Sequence, residues 1–312
     1  MAGYLDLIDD KFPVRCSEKQ KEAFREWALE EAERNGIKNA AEEVNSGHSQ
    51  LVFGDLSTAR VIFSAHYDTP RRALFPNLML VTDPVMYWAY NIGVALIMLA
   101  AALGAVFAAK SLLHLDRSIM AHRFVMLFIY MAVYFGLFYL MLKGPANRRN
   151  RNDNTSGTAA VLTLTRKLKS MDGVVCVLFD DEEKGKKGSK AFAAAYPGLR
   201  EGALNVNLDC VGNGDTFVFC STKRAQEHPL FPALRAAAEK AGLPEMFLPA
   251  GKGEMNSDHK SFLFGVGVCA CRHKPIVGWF TDRIHTSRDT VADPENVEKL
   301  TDALAVFAAD IQ

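Results

Sequence analysis

The pattern of apolar and polar positions changes character twice along the chain. From Ser17 to Gly36, SEKQKEAFREWALEEAERNG places apolar residues at helical spacing among charges. This predicts an amphipathic helix with Ser17 as its N-cap and Gly36 as its stop. Short strands are predicted at 41–45 and 50–53. A more apolar one spans 59–65 and ends at His66-Tyr67-Asp68. From residue 155 onwards helices and strands alternate. Helices are predicted at 156–168, 188–196, 228–241 and 294–311, and strands at 173–179, 203–208, 216–220 and 265–270. Continuously apolar strands between helices predict an α/β fold: a mostly parallel mixed sheet flanked by helices on both faces.

Between these regions the alternation breaks. Pro84 to Ala109 runs 26 residues without a charge or histidine, and Phe124 to Leu142 adds 19 more. Residues 110–123 form a polar connection. Each apolar run is long enough to cross a ~30 Å hydrocarbon core as a helix. Tyr87, Trp88, Tyr90, Tyr134 and Tyr139 supply aromatics suited to membrane interfaces. The alternative, a buried or dimer-forming hairpin in a soluble protein, leaves a very large apolar patch on a monomer. The expected organisation is one α/β domain over 1–83 and 143–312, with an inserted transmembrane hairpin over 84–142. Two spans return the chain to the side it left. Arg71, Arg72, Lys143, Arg148, Arg149 and Arg151 flank the hairpin there, against Lys110, Arg117 and Arg123 in the connection. That bias predicts a cell-membrane protein with its α/β domain in the cytoplasm.

Composition adds exclusions. Lys plus Arg and Asp plus Glu are 36 each in 312 residues, so a formal net charge of zero gives no electrostatic case for nucleic acid. Hydrophobic residues make up 49% of the chain, the excess lying in the hairpin. The N-terminus lacks a basic run followed by an apolar stretch, so no signal peptide is expected. Cys16, Cys176, Cys210, Cys220, Cys269 and Cys271 form no C-x-x-C pair, and Cys176 and Cys210 fall in apolar strand-like runs. Buried, reduced thiols are expected.

The chemistry sits at strand ends. His66, Glu182, Glu183 and Asp209 each follow a strand, and ligands of open α/β sheets bind outside the carboxyl ends of strands. Asp153 precedes a helix, and His285 lies in a polar loop before the last one. Glu182-Glu183 alone could be a solvated turn balanced by Lys184, Lys186 and Lys187. At a site-forming edge, adjacent carboxylates can instead divide roles, one binding metal and one taking a proton. Alternation puts Asp68 on the same side as His66, placed to orient the imidazole.

The stretches SAHYDTP, NDNTSG, FDDEEKGKKGS, NLDC, NSDHKSF and IHTSRDT, in this order, resemble the M28 family of zinc peptidases, aminopeptidase-type enzymes with two zinc ions. The resemblance covers roughly 55–75 and 150–312. It implies a zinc aminopeptidase-like fold and hydrolysis of short peptides. By the same resemblance His66 and Asp209 hold one zinc, Glu183 and His285 the other, and Asp153 bridges them. Glu182 is implied as general base, and Asp68 and Asp289 match positions that support the ligands. Asp258 and His259 match a motif near the site. Two zinc ions would face three carboxylates, with a metal-bound hydroxide balancing the remaining charge and serving as nucleophile. A glutaminyl-cyclase-like transferase with a single zinc shares several motifs, and a non-catalytic membrane receptor predicts lost ligands that are all present here. The hairpin departs from the family pattern. It enters between His66 and Asp153, which turns the expected site towards a bilayer and towards hydrophobic peptides.

Overall fold

The computed structural model describes residues 3–75, 77–168 and 170–311. Its elements run α1 (Tyr4–Lys11), α2 (Glu18–Arg34), β1 (Ala40–Asn45), β2 (His48–Phe53), β3 (Val61–His66), β4 (Asn77–Leu80), α3 (Pro84–Leu112) and α4 (Met120–Lys143). They continue through α5 (Gly157–Lys167), β5 (Val174–Phe179), α6 (Lys187–Ala195), α7 (Pro197–Gly202), β6 (Leu204–Leu208), β7 (Thr216–Ser221) and α8 (Phe231–Lys240). The chain closes with β8 (Glu245–Phe247), β9 (Phe264–Lys274), β10 (Gly278–Ile284) and α9 (Pro294–Asp310). At the start of α2, Gln20 Oε1 accepts the Ser17 backbone N–H at 3.0 Å. At its end Gly36 takes φ +70°, a left-handed conformation that stops the helix.

A ten-stranded sheet is ordered β1-β2-β5-β3-β6-β9-β10-β4, with β7 and β8 branching from β9. Its centre is parallel: β5 with β3, β3 with β6, and β6 with β9. Antiparallel pairings extend it at both ends. In β5 every residue is buried. Val174, Cys176 and Leu178 pack on one face, and Val175, Val177 and Phe179 on the other. A strand buried on both faces has no room for polar positions, which is why it reads as a continuous apolar run. One face is covered by α2, α5, α8 and α9, the other by α6.

The sheet is therefore mixed and flanked by helices. The structure adds elements that periodicity did not show: α1, α7, β4, β8 and β10. The strand expected at 265–270 extends to Lys274 and turns back as β10.

α3 and α4 pack against each other, and α3 also meets β4. Asp83 accepts the Met86 N–H at 2.9 Å, so an Asp-Pro start launches α3. Both helices are long and apolar enough to cross a membrane, with mean hydropathy 2.5 and 2.1. Their surfaces are open and greasy: Trp88 is 62% exposed, Phe107 75% and Phe128 73%. Helix α3 takes in Lys110 to Leu112, so the connection is shorter than the expected 110–123. At the hairpin's root Arg71 bridges Ala146, and Arg72 N–H donates to Pro145 O at 2.9 Å. Arg151 is engaged by Asp6 and Asp9 of α1, so it serves the fold as well as the basic flank.

Candidate active site

The parallel pairings put the ends of β3, β5 and β6 at one edge. His66 closes β3, Asp180 to Glu183 follow β5, and Asp209 follows β6. β10 runs antiparallel to β9, yet His285 reaches the same edge. Val268 of β9 is level with Leu208 of β6, and β9 continues to Lys274 before β10 returns. The overshoot lets the returning strand deliver His285 beside Asp153 and Glu183. Asp153, Glu182, Glu183, Asp209 and His285 line one cleft of about 270 Å³. His66 adjoins it, buried, in contact with Asp153 and Asp209.

Two groups form around Asp153. His66 Nε2 lies 3.6 Å from Asp153 Oδ1 and 3.9 Å from Asp209 Oδ1. His285 Nε2 lies 3.0 Å from Asp153 Oδ2 and 3.4 Å from Glu183 Oε2. Nitrogen and oxygen ligands about 2.0–2.2 Å from a tetrahedral zinc stand about 3.3–3.6 Å apart, and the four separations here, 3.0 to 3.9 Å, straddle that spacing. Glu183 Oε1 is buried without a hydrogen-bond partner, which a cation would satisfy. The donor set fits zinc.

Support comes from the loops themselves. His66 Nδ1 lies 3.1 Å from Asp68 O and 3.3 Å from Asp68 Oδ1, which leaves Nε2 facing the cleft. The Asp68 carboxylate also accepts the backbone N–H groups of Glu182 and Glu183, at 3.1 and 3.2 Å. Asp289 does the same for Asn152 and Asp153, both at 3.0 Å. Asn154 donates to Leu208 O at 3.0 Å and accepts from Cys210 N–H at 3.1 Å. The Asp153 loop is thereby fixed to the end of β6. Thr158 Oγ1 ties α5 to His66 O at 2.8 Å.

Without cations the cleft is electrostatically crowded. Burial raises the Glu182 carboxyl well above its ordinary value; His66 pulls it down, while Asp258, Glu183 and Asp209 push it up. Burial lifts Glu183 to about 8, although 14% of its side chain remains exposed to the cleft. Burial would lower His285, but the charges of Glu183 and Asp153 raise it to about 9. Burial would raise Asp153, yet His285 and His66 hold it below the ordinary carboxylate range. Divalent cations invert this logic by supplying the charge the carboxylates lack.

The sequence model of peptidase family M28 matches residues 146–308, just over half of the chain. The chain belongs to peptidase family M28. Aminopeptidase YwaD of Bacillus subtilis is 32% identical over 119 residues, a match covering 36% of this chain and 26% of YwaD. The chain thus spans about a quarter of that relative. Three solved structures share the fold. A glutaminyl cyclase of Porphyromonas gingivalis has a TM-score of 0.60 at 15% identity, covering 99% of this chain and 96% of its own. A Zn-dependent exopeptidase of Parabacteroides distasonis has 0.58 at 15%, covering 97% and 95%. The LapA aminopeptidase of Legionella pneumophila has 0.58 at 14%, covering 99% and 70%. The M28 match begins after the hairpin, so His66 and Asp68 precede it and the other site residues lie within it.

Several partnerships around the site of this M28 chain are not visible in its sequence. The acidic turn is not uniformly solvated: Asp180 and Asp181 are buried on Lys21 Nζ of α2, at 2.7 and 3.0 Å. Lys184 reaches Asp181, whereas Lys186 turns to Asn256. The His48, Asp180 and Asp181 cluster is thus already neutralised by lysine. Arg15 is fully buried. It donates to Tyr67 O at 2.5 Å, Phe12 O at 2.6 Å and Thr155 Oγ1 at 3.1 Å, clamping the loops that carry His66 and Asp153. Asp258 is buried and lifted to about 7 by burial, with Asp68 and Asp209 adding to it and His66 opposing. Its neighbour His259 is pushed down to about 3 by burial. Five of the six free thiols are buried. Cys210 does not lie within a strand but follows Asp209 into the cleft. Only long-range contacts reveal these partners.

Proposed function

We propose that this chain is a membrane-anchored, zinc-dependent peptidase that removes N-terminal residues from short peptides. The observation that carries this reading is Asp153, whose two oxygens each face a different imidazole and carboxylate pair. His66, Asp209 and Asp153 Oδ1 would hold one zinc ion; His285, Glu183 and Asp153 Oδ2 would hold a second. Zinc ions bound there would polarise the scissile carbonyl, make a water more acidic and lower the proton affinity of nearby carboxylates. Glu182, beside Glu183 on a turn anchored by Asp68, takes the proton of the attacking water and returns it to the leaving amine. Asp68 positions His66 and both glutamates; Asp289 positions Asp153.

The hairpin bears on the substrate. Tyr87, in the first turn of α3, lines the cleft with Leu78, Met79 and Ile284. The root of the proposed transmembrane hairpin is thus part of the cleft wall. α3 and α4 would cross the membrane, with the domain of 1–83 and 143–312 on the cytoplasmic side. Apolar walls beside the bilayer favour short peptides with hydrophobic N-terminal residues. A hairpin-deleted enzyme that kept the wild-type preference between hydrophobic and hydrophilic peptides, with membranes present, would overturn the membrane half of this reading.

The catalytic half is tested by metal analysis and an aminoacyl-amide panel on wild type and Glu182→Gln. Two zinc ions per chain are expected, with turnover falling about 10²–10⁴-fold in the variant and metal retained. Unchanged turnover removes Glu182 from the chemistry. One zinc with pyroglutamate formation would indicate the glutaminyl cyclase activity instead.

A further inference from the structure

We propose that Cys210 is a further ligand of the metal ion held by His66, Asp209 and Asp153, and that its sulfur makes this site select zinc over harder ions. The inference rests on the metal-centre reading above and concerns this chain's own residue at that centre.

The thiol is in reach. Cys210 Sγ and carboxylate oxygens of Asp153 and Asp209 all lie within 4.8 Å of one another. Sulfur at about 2.3 Å and oxygen at about 2.1 Å from one tetrahedral zinc stand about 3.6 Å apart. Cys210 is 1% exposed and lines the cleft beside Asp209.

The backbone explains the aim. Side chains alternate along β6, so a strand continuing through residue 210 would send that side chain away from Asp209. Cys210 instead takes φ +60°, a left-handed conformation in which a side chain is costly. Its backbone is gripped on both sides: Asn154 Oδ1 accepts its N–H at 3.1 Å, and its carbonyl accepts from Ala270 N–H at 3.0 Å. The same asparagine fixes the Asp153 loop, so the thiol and the shared carboxylate are positioned by one side chain. The other paired thiols contrast with this. Cys269 and Cys271 lie 3.5 Å apart in a cluster with Val81, Val218 and Met255, away from the cleft lining.

The chemistry has a direction. As the sulfur–metal bond forms, the thiol proton leaves to solvent and the sulfur donates as thiolate. Thiolate favours zinc, cadmium and cobalt over manganese and magnesium, which prefer oxygen. Beside His66, Asp209 and Asp153 Oδ1, the sulfur would give this ion a fourth protein donor. The group of Glu183, His285 and Asp153 Oδ2 keeps three and an open position for substrate and water.

The test uses the full chain, stripped of metal and reloaded with cobalt(II). Wild type is expected to show a near-ultraviolet sulfur-to-cobalt charge-transfer band besides the weak visible bands. Cys210→Ser and Cys210→Ala should keep the visible bands and lose the charge-transfer band. Competition between zinc and manganese should shift at least tenfold towards manganese at one site in both variants. Circular dichroism checks that the variants are folded, and wild type supplies the decisive spectrum in any case. Bound cobalt without a charge-transfer band overturns the assignment of Cys210 alone. A band that survives in both variants assigns the sulfur elsewhere and also overturns it. If wild type binds no cobalt, the metal-centre reading falls with it.

Discussion

Asp289 holds the backbone of Asp153, its carboxylate accepting the N–H groups of Asn152 and Asp153 at 3.0 Å each. A buried carboxylate thereby fixes a side chain that both halves of the cleft share. Replacing it with asparagine turns one acceptor into an N–H donor facing an N–H. Asp289→Asn is expected to weaken metal retention about 10–100-fold, the range found when partners of metal ligands are lost, with little change in circular dichroism. Metal affinity measured with a competing chelator checks this; an unchanged affinity removes Asp289 from the positioning scheme.

Gly157 opens α5 at an ordinary helical φ of −67°, so its need is for space. A Cβ there would meet Leu208 O at 2.2 Å and Asn154 Oδ1 at 2.4 Å. Gly157→Ala must push α5 from β6 or displace the asparagine that links Asp153 to Cys210. The expected cost is about 1–3 kcal/mol of stability together with loss of bound metal. Thermal melting and metal content would detect both, and a variant as stable and as well loaded as wild type contradicts the packing argument.

Lys21 and Asp180 each keep only 3% of their side chains exposed and meet at 2.7 Å. Burial and Asp68 raise the Asp180 carboxyl to about 6 even with the lysine beside it. Lys21→Met leaves that carboxylate buried without its main cation, an arrangement that costs about 3–5 kcal/mol. Lys21→Met combined with Asp180→Asn should recover much of the loss. Denaturant titration of the single and double variants measures the recovery, and equal losses in both would refute the coupling.

In the metal-free protein Glu183 keeps its proton to about pH 8 and His285 to about pH 9, against ordinary values of 4.5 and 6.5. The folded state therefore holds protons that the unfolded chain has released. Stability from these groups is fullest below the unfolded values and is lost as pH rises through the folded ones. His259, held near 3 by burial, acts oppositely, but its contribution fades as pH rises above its ordinary 6.5. Metal-stripped protein is thus expected to lose about 1 kcal/mol or more per pH unit between pH 6.5 and 9. Saturating zinc should flatten that slope. Denaturation with and without chelator across this window tests the sign; a stripped protein that gains stability with pH contradicts it.

Sequence alone determined the α/β alternation, the ends of β3, β5 and β6, the two apolar helices and the residues that the strand ends present. These are local properties. A buried strand must be apolar throughout, a helix cap needs the right residue within a turn, and a membrane-length run is visible in composition. The tertiary structure decided what pairs with what. β10, GWFTDRI, mixes polar and apolar residues because it lies at the margin of the sheet, so no periodicity announces it; yet its return along β9 is what carries His285 to Asp153. Lys21 and Arg15 look like surface charges until α2 and the N-terminal segment dock and remove them from water. Cys210 reads as the continuation of a strand, and only the grip of Asn154 and β9 turns it into the cleft. Register and docking depend on contacts between residues far apart in the chain, which local patterns do not encode.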